Sequence, residues 1–264
     1  MRKLHLLLTA IALFLPLSSS SYSQTQDQTS EKLGTWIMER VIRNAEENEK
    51  IKRDHITYNK TVYKRNLEKD PPELKSVERF NIYGNEGQSI EKLVERAAIN
   101  KGKVTKKVAV TNAKPQVSNL NFNSIIGERY NFRLVGEELL NGRGYFLIAF
   151  QPKEPLDQLP FNERLDEGIN RMYGTLYVDI EELYVWKLEG QLTASFSKAA
   201  SIFEMKDFSI ILMQERKFGV VVPLSLTITY RYRVFFGHTH ERLIYTYSGH
   251  FDKRTTIGSL DPPQ

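Results

Sequence analysis

The chain has 264 residues, a formal net charge of +5 and no cysteine. Without cysteine there can be no disulfide, thiolate metal site or cysteine nucleophile, and no lipidated cysteine of the kind found in bacterial lipoproteins. Basic and acidic residues are interspersed without a long basic run, which argues against a nucleic-acid partner. The mild positive charge would suit an anionic membrane surface, although ordinary solubility is the favoured explanation.

Residues 1–23 have the order of a secretory signal peptide. Arg2 and Lys3 precede an apolar run over residues 6–17, and a small, polar stretch leads to a cleavage site after Ser23. The apolar run is shorter than the ~20 residues that a membrane-spanning helix needs. We therefore predict an exported protein without a lipid anchor, and a retained membrane anchor is the less favoured alternative.

After a polar, flexible lead-in at residues 24–30, one helix is predicted over residues 31–51. Ser30 is a suitable N-cap for it. Apolar residues recur on one face at helical spacing, namely Leu33, Trp36, Ile37, Val41 and Ala45. Trp36 is interpreted as a core anchor of this face.

From residue 54 onward the period changes from 3.6 to 2, which predicts strands. They are expected near residues 54–62, 74–83, 89–99, 129–134, 145–150, 175–178, 183–196, 208–214, 220–234 and 242–251. A helix remains an alternative for residues 89–99. Two irregular stretches, residues 100–123 and 152–174, are predicted as long connections of the kind that form lids or binding loops. Turn signals such as Asn141-Gly142 indicate sequential antiparallel pairing.

This element order predicts an α+β fold that is mainly β. A single sheet with so many long strands must curl or be covered. We expect a strongly curved antiparallel sheet, an incomplete barrel, with the N-terminal helix and the lid segments over its apolar concave face. The domain is predicted to span residues 31–254, with a C-terminal tail at residues 255–264.

The apolar face of the strands is rich in aromatic residues, and it is the candidate binding site. Tyrosine is amphipathic and often marks surfaces that meet a ligand. An unfilled cavity would be unfavourable, so an apolar ligand is expected there; alternatively, these side chains simply pack under the helix. The residues predicted to line the cavity are Phe132, Leu134, Trp186, Leu188, Leu226, Ile228, Tyr230 and Tyr245.

Patterns typical of enzymes are weak. His238 and His240 alternate along the chain and could face one metal ion, but zinc sites use three or four protein ligands. Two exposed turn residues are therefore the favoured interpretation. The chain has no G-x-S-x-G nucleophile elbow, and it lacks the spacing of a phosphate loop or a calcium loop. We predict a binding protein that is not an enzyme and needs no metal or cofactor.

Several segments of the second half form a characteristic order of strands and turns. They are residues 130–138, residues 141–153 with their Asn-Gly-Arg turn and Pro-Lys end, residues 174–180, residues 184–190 with their Glu-Gly end, and residues 245–251. This order resembles the LolA-like superfamily of outer-membrane lipoprotein-sorting proteins. The resemblance covers roughly residues 128–252 and, by position, the leading helix.

The resemblance implies an incomplete antiparallel barrel with helices as a lid over an apolar cavity. It also implies a soluble periplasmic protein that binds or carries a lipid, an acyl chain or a lipid-modified protein. A membrane or envelope protein is a further expected partner. The alternatives are a protein-interaction module that senses envelope stress and, more remotely, a metal-dependent hydrolase.

Overall fold

The computed structural model describes residues 19–85, 88–100, 102–109, 116–117, 124–153, 170–198 and 203–257. Most of the predicted signal peptide, much of both predicted lid segments and the end of the predicted tail lie outside the described residues. Among the described residues, no helix has the length and apolar character needed to cross a membrane.

The described part of the chain forms three helices and thirteen strands. In chain order these are α1 (Ser19–His55), β1 (Ile56–Asn66), β2 (Glu73–Asn85), β3 (Gln88–Asn100), β4 (Lys103–Ala109), β5 (Gln116–Val117), α2 (Ser124–Arg129), β6 (Tyr130–Leu140), β7 (Arg143–Pro152), β8 (Met172–Asp179), β9 (Val185–Leu192), β10 (Phe196–Lys198), β11 (Phe203–Lys217), β12 (Val220–Val234), β13 (Gly237–Asp252) and α3 (Arg254–Ile257).

All of these strands belong to one antiparallel sheet. Its order is β4-β3-β2-β1-β13-β12-β11-β9-β8-β7-β6, while the short β10 pairs with β11 and β5 pairs with β3. The end strands β4 and β6 do not pair with each other in the described part of the chain, so the sheet is not closed. The predicted fold class, a mainly β incomplete barrel with an N-terminal helix, is confirmed.

The position of α1 shows how this sheet curls. The helix contacts β6 at one end of the strand order, and it also contacts β1, β2 and β3 towards the other end. Gly34 contacts β6 and Arg53 contacts Gly84 of β2, and these two residues are only about 28 Å apart along the helix. In a flat sheet the eight strand spacings from β2 to β6 would span about 38 Å, so the sheet must bend around α1. The face of the sheet that meets α1 is therefore the concave face.

The side of α1 that meets the sheet consists of Gly34, Ile37, Met38 and Val41, all of them buried. Their spacing of three or four residues places them on one helical face. Trp36 lies outside this face and is 47% exposed. The prediction that Trp36 anchors the core is therefore wrong.

Gly34 explains this rotation of the helix. A Cβ atom at this position would lie 2.7 Å from the backbone nitrogen of Leu134 and 2.8 Å from the backbone of Arg133. The helix therefore turns its glycine towards β6, because only a residue without a side chain allows so close an approach. Trp36 is left at the surface, where the Arg40 guanidinium carbon lies 4.0 Å from its ring centroid.

Asn48 attaches the C-terminal part of α1 to β12. Its side-chain nitrogen donates to the Val221 carbonyl at 2.9 Å, and the Val221 N–H donates to its side-chain oxygen at 2.5 Å. Pairing between β12 and β13 begins only at Ser225. Asn48 thus satisfies backbone groups that the neighbouring strand does not reach.

Two segments differ from the sequence-based expectations, and a third agrees with the favoured one. α1 already includes residues 24–30, where a flexible lead-in is predicted; residues 19–33 contain no proline or glycine, and a packed helix extends at little cost. Residues 89–99 lie in strand β3, as predicted, and do not form the alternative helix. Within the predicted connection at residues 100–123, β4 and β5 instead pair with β3, because its open edge offers unpaired backbone groups.

We predict that Ile37→Ala lowers the free energy of unfolding by about 2–5 kcal/mol, because Ile37 is fully buried between α1 and the sheet. The exposed Leu33, one turn earlier, provides the control: Leu33→Ala should change stability by less than about 1 kcal/mol. Urea unfolding of both variants measures this. Equal losses would mean that the apolar face predicted from the sequence is the one that packs.

Candidate functional site

The eight residues predicted to line a cavity fall into three groups. The first group, Phe132, Leu134 and Leu188, belongs to the core beneath α1. Phe132 is buried there together with Ile37 and Val41 of the helix, and Leu134 and Leu188 pack against the same cluster. The helix already occupies this part of the concave face, so it is not free for a ligand.

Trp186 alone forms the second group and lies on the opposite face of the sheet. The register between β8 and β9 shifts between Tyr177 and Val178, which makes Trp186 the extra residue of a β-bulge. Its ring lies 4.8 Å from the Tyr145 ring and 6.1 Å from the Tyr177 ring. Tyr145 and Tyr177 alternate with the core residues Phe146 and Val178, so they point away from α1.

The third group, Leu226, Ile228, Tyr230 and Tyr245, forms a contiguous surface on β12 and β13. Leu226 lies directly opposite Tyr245, and the three residues of β12 alternate on one face. Neighbouring strands extend this surface with Phe208 and Ile210, opposite Tyr230 and Ile228, and with Leu243. We call these seven residues the apolar patch: Phe208, Ile210, Leu226, Ile228, Tyr230, Leu243 and Tyr245.

The apolar patch shares the concave face with the helix-covered core. Phe208 and Ile210 pack against the edge of that core, whereas Leu226 is the one fully buried member of the patch. The other six side chains are half-buried. The concave face therefore has one half filled by α1 and another half that is only partly covered.

A line of aromatic rings leads from the patch towards the turn that joins β12 to β13. Tyr230 and Tyr232 stack with centroids 5.8 Å apart, Tyr232 lies 5.7 Å from Phe203, and Phe203 lies 6.3 Å from Phe196. We call these four residues the aromatic ladder. Phe196 and Phe203 were missed in the sequence, because only the pairing of β10, β11 and β12 brings them into line.

A buried ion pair borders the patch on one side. Lys60 of β1 binds Glu91 of β3, and the Lys60 side chain is only 9% exposed. The Lys60 ammonium also lies 4.3 Å from the Phe80 ring centroid and 5.9 Å from that of Tyr245. The charge is thus enclosed by a carboxylate and two aromatic rings, next to an apolar surface.

A second polar cluster borders the patch at Glu241. The Tyr230 hydroxyl donates to this carboxylate at 2.7 Å, and the Lys64 ammonium lies 2.8 Å from the same oxygen atom. Each lysine at the border therefore has a carboxylate partner. The site combines an apolar floor with a border that carries both charges.

The tyrosines of the site stay protonated well above neutral pH. Burial raises the pKa of Tyr245 to about 12, with smaller contributions from Glu91 and Glu78. Burial and the hydrogen bond to Glu241 also raise the pKa of Tyr230. Both hydroxyls are thus neutral groups that can donate a hydrogen bond at physiological pH.

His238 and His240 lie on the face opposite the patch. They pair with Arg233 and Arg231 across β12 and β13, so cationic side chains stand beside both rings. Within the described ranges, no three histidine or acidic side chains are grouped so that they could hold a metal ion.

An open depression of about 430 Å³ runs along α1, away from the apolar patch. Its walls are Gln28, Glu31, Lys32, Thr35, Trp36 and Glu39. The mostly polar and charged lining does not suit an acyl chain. It coincides with none of the residues predicted to line a cavity.

No protein-family model and no curated protein sequence matches the chain. Several solved structures do match it over most of its length. A DUF1329 family protein from Desulfovibrio piger has 10% identity and a TM-score of 0.42, covering 84% of this chain and 93% of that chain. A LolA superfamily protein from Nitrosomonas europaea has 12% identity and a TM-score of 0.37, with 81% and 92% covered.

A putative outer membrane lipoprotein-sorting protein domain from Vibrio parahaemolyticus has 10% identity and a TM-score of 0.40, with 82% and 93% covered. The incomplete barrel around one helix is the architecture that the sequence resemblance to the LolA-like superfamily implies.

We predict that Glu91→Ala lowers the free energy of unfolding by about 3 kcal/mol, because it leaves the buried Lys60 charge uncompensated. The double variant Lys60→Met, Glu91→Leu should recover most of this loss. On the same strand, Glu95 pairs with the exposed Arg79, so Glu95→Ala should cost less than about 1 kcal/mol. Urea unfolding tests all three; equal losses for the two single variants would contradict a buried pair.

We predict that the protein loses stability as the pH rises from about 10 to about 12. The unfolded chain releases tyrosine protons near pH 10, whereas folded Tyr245 keeps its proton up to about pH 12. The stabilisation that comes from the raised pKa of Tyr245 is complete below about pH 10 and is lost as the pH rises to about 12. Tyr245→Phe should therefore flatten this decline in denaturant unfolding at alkaline pH. An equally steep decline in the variant would show that Tyr245 is not protected.

Proposed function

We propose that the protein binds an amphiphile on the apolar patch and carries it through the periplasm. The ligand would be a lipid or the acyl chain of a lipid-modified protein. The observation that carries this proposal is the half-covered part of the concave face, where apolar side chains lie beside a core that α1 has already filled. A carrier needs such a surface, because its cargo must enter and leave.

The size of the patch suits an acyl chain. Burial of one methylene contributes ~0.8 kcal/mol, so about ten methylenes would contribute roughly 8 kcal/mol before the costs of association. Leu226, Ile228 and Tyr230 span about 13 Å along β12, since every second residue advances a strand by about 6.6 Å. An extended chain of about ten methylenes has a similar length.

The border of the patch suits a polar headgroup without a large net charge. Lys60 and Lys64 are each balanced by a carboxylate, Glu91 and Glu241. A strongly anionic headgroup would compete with these carboxylates, whereas a zwitterionic or neutral one can use both charges. The neutral hydroxyl of Tyr245 adds a donor that could bind an ester or amide carbonyl.

The first experiment is to isolate the protein from the periplasm of cells that export it, and to apply native mass spectrometry and lipid extraction. A co-purifying lipid or acylated protein in stoichiometric amount would support the carrier function and identify the class of cargo. Empty protein that takes up neither added phospholipid nor fatty acid would reject it. The protein-interaction module would then be the better explanation.

We predict that Ile228→Glu lowers the affinity for a fluorescent fatty acid at least about tenfold, because it places a charge in the middle of the patch. Ile211 lies on the neighbouring strand, exposed on the other face of the sheet. Ile211→Glu is therefore the matched control and should bind like the unmodified protein. Equal binding by all three proteins would remove the patch as the site.

A further inference from the structure

The hairpin that joins β12 to β13 ends in two exposed phenylalanines. Phe236 is 99% exposed and Phe235 is 64% exposed. We call residues 234–237, which form this turn, the hairpin tip. Large apolar side chains at the outermost point of a strand pair add nothing to the core, so their exposure needs another explanation.

Turn geometry does not explain the phenylalanine at position 235. Its φ angle of 51° lies in the left-handed region, which is unfavourable for a bulky side chain and suits glycine or asparagine. The turn between β6 and β7 follows that rule, with Asn141 at φ 52° and Gly142 at φ 81°. The hairpin tip keeps an aromatic side chain at a backbone position where a smaller residue would fit better.

Basic side chains stand behind the tip on the convex face. Arg233 and Arg231 lie two and four residues before Phe235, and they alternate with Tyr232 and Tyr230 of the concave face. Glu204 and Asp207 of β11 lie 3.2 Å and 2.9 Å from these two guanidinium groups. The charges of these two arginines are therefore balanced locally.

Two further arginines of the convex face, Arg242 and Arg65, lack an acidic residue between them in the described part of the chain. We call these two residues together with Arg231 and Arg233 the basic band. Arg242 of β13 lies directly opposite Arg65 of β1. Like charges in this position destabilise a strand pair. An anionic surface in front of these arginines would offset their mutual repulsion, because each guanidinium group would then have an anionic partner.

We propose that the hairpin tip inserts into the surface of an anionic lipid bilayer, with Phe235 and Phe236 among the headgroups and the arginines of the convex face against the phosphates. Aromatic side chains backed by cations bind reversibly at such an interface. Two side chains are far smaller than the ~800 Å² per partner of a stable protein interface, which favours a membrane over a protein as the partner.

With the tip in the bilayer, the aromatic ladder would run from the membrane surface to the apolar patch. Phe203 of the ladder lies opposite Val234, the first residue of the tip. The ladder then continues through Tyr232 to Tyr230 of the apolar patch. A protein seated by its tip would hold the open end of the concave face next to the bilayer.

The test is co-sedimentation of the purified protein, without added ligand, with vesicles of phosphatidylcholine alone or mixed with phosphatidylglycerol. The protein is expected to bind the mixed vesicles and to dissociate as salt is raised. The double variant Phe235→Asn, Phe236→Asn should bind at least about tenfold more weakly. Asparagine tolerates the backbone at position 235, so the fold is retained and circular dichroism verifies this.

Phe218 provides the matched control. It also lies in a hairpin turn, with a φ angle of 55° and 43% exposure, but it joins β11 to β12 at the other end of the sheet. Phe218→Asn should leave vesicle binding unchanged. Arg65→Gln, Arg242→Gln should weaken binding to the mixed vesicles and reduce its dependence on salt.

Absence of binding by the unmodified protein would overturn the proposal, as would equal binding by the double tip variant. An equal loss in Phe218→Asn would also overturn it, because exposed phenylalanine in general would then be responsible. If the tip variant lost a co-purifying protein but no affinity for vesicles, the tip would be a protein contact. The vesicle assay is independent of cargo, so it stands whether or not the apolar patch binds an amphiphile.

Discussion

The close approach of α1 to β6 at Gly34 decides how the concave face is used. A side chain at this position would meet the backbone of Arg133 and Leu134, so the two elements lie as near as their backbones permit. This contact seats Ile37 and Val41 in the core that β6–β9 line. Half of the concave face is thereby filled from within the chain, and the half built by β11, β12 and β13 is only partly covered.

β12 connects three environments along its fifteen residues. Its first residues, Val220 and Val222, are buried with Ile56 and Ile82 in a second core cluster. Its middle forms the floor of the apolar patch, and its last residue enters the hairpin tip. Because one continuous strand carries all three, the patch and the tip keep a fixed relation to the core. A membrane contact at the tip and a ligand on the patch would therefore be held in one rigid arrangement.

The sequence was sufficient wherever periodicity alone decides the structure. The bounds of β12 and the turn at residues 141–142 follow from alternation and from the Asn-Gly signal. The sequence was insufficient where strand pairing or close packing determines which way a side chain points. Trp186 has the parity of Leu188, but a bulge turns it to the other face. Trp36 outranks Gly34 in hydrophobicity, yet close packing selects the residue without a side chain. Of the eight predicted site residues, four belong to the seven-residue patch. Three others lie under α1, because strand alternation cannot reveal which part of a face the helix will cover.

α1 also contacts the sheet at a second point, where the Asn48 side chain forms two hydrogen bonds with the backbone of Val221 in β12. Gly34 and Asn48 are about 21 Å apart along a helix that rises about 1.5 Å per residue. The helix thus joins β6, an end strand of the open sheet, to β12 in its middle. The fixed length of helix between these two contacts sets how strongly the sheet curves. One additional helical turn between the two contacts would lengthen this part of α1 by about 5.4 Å and widen the concave face.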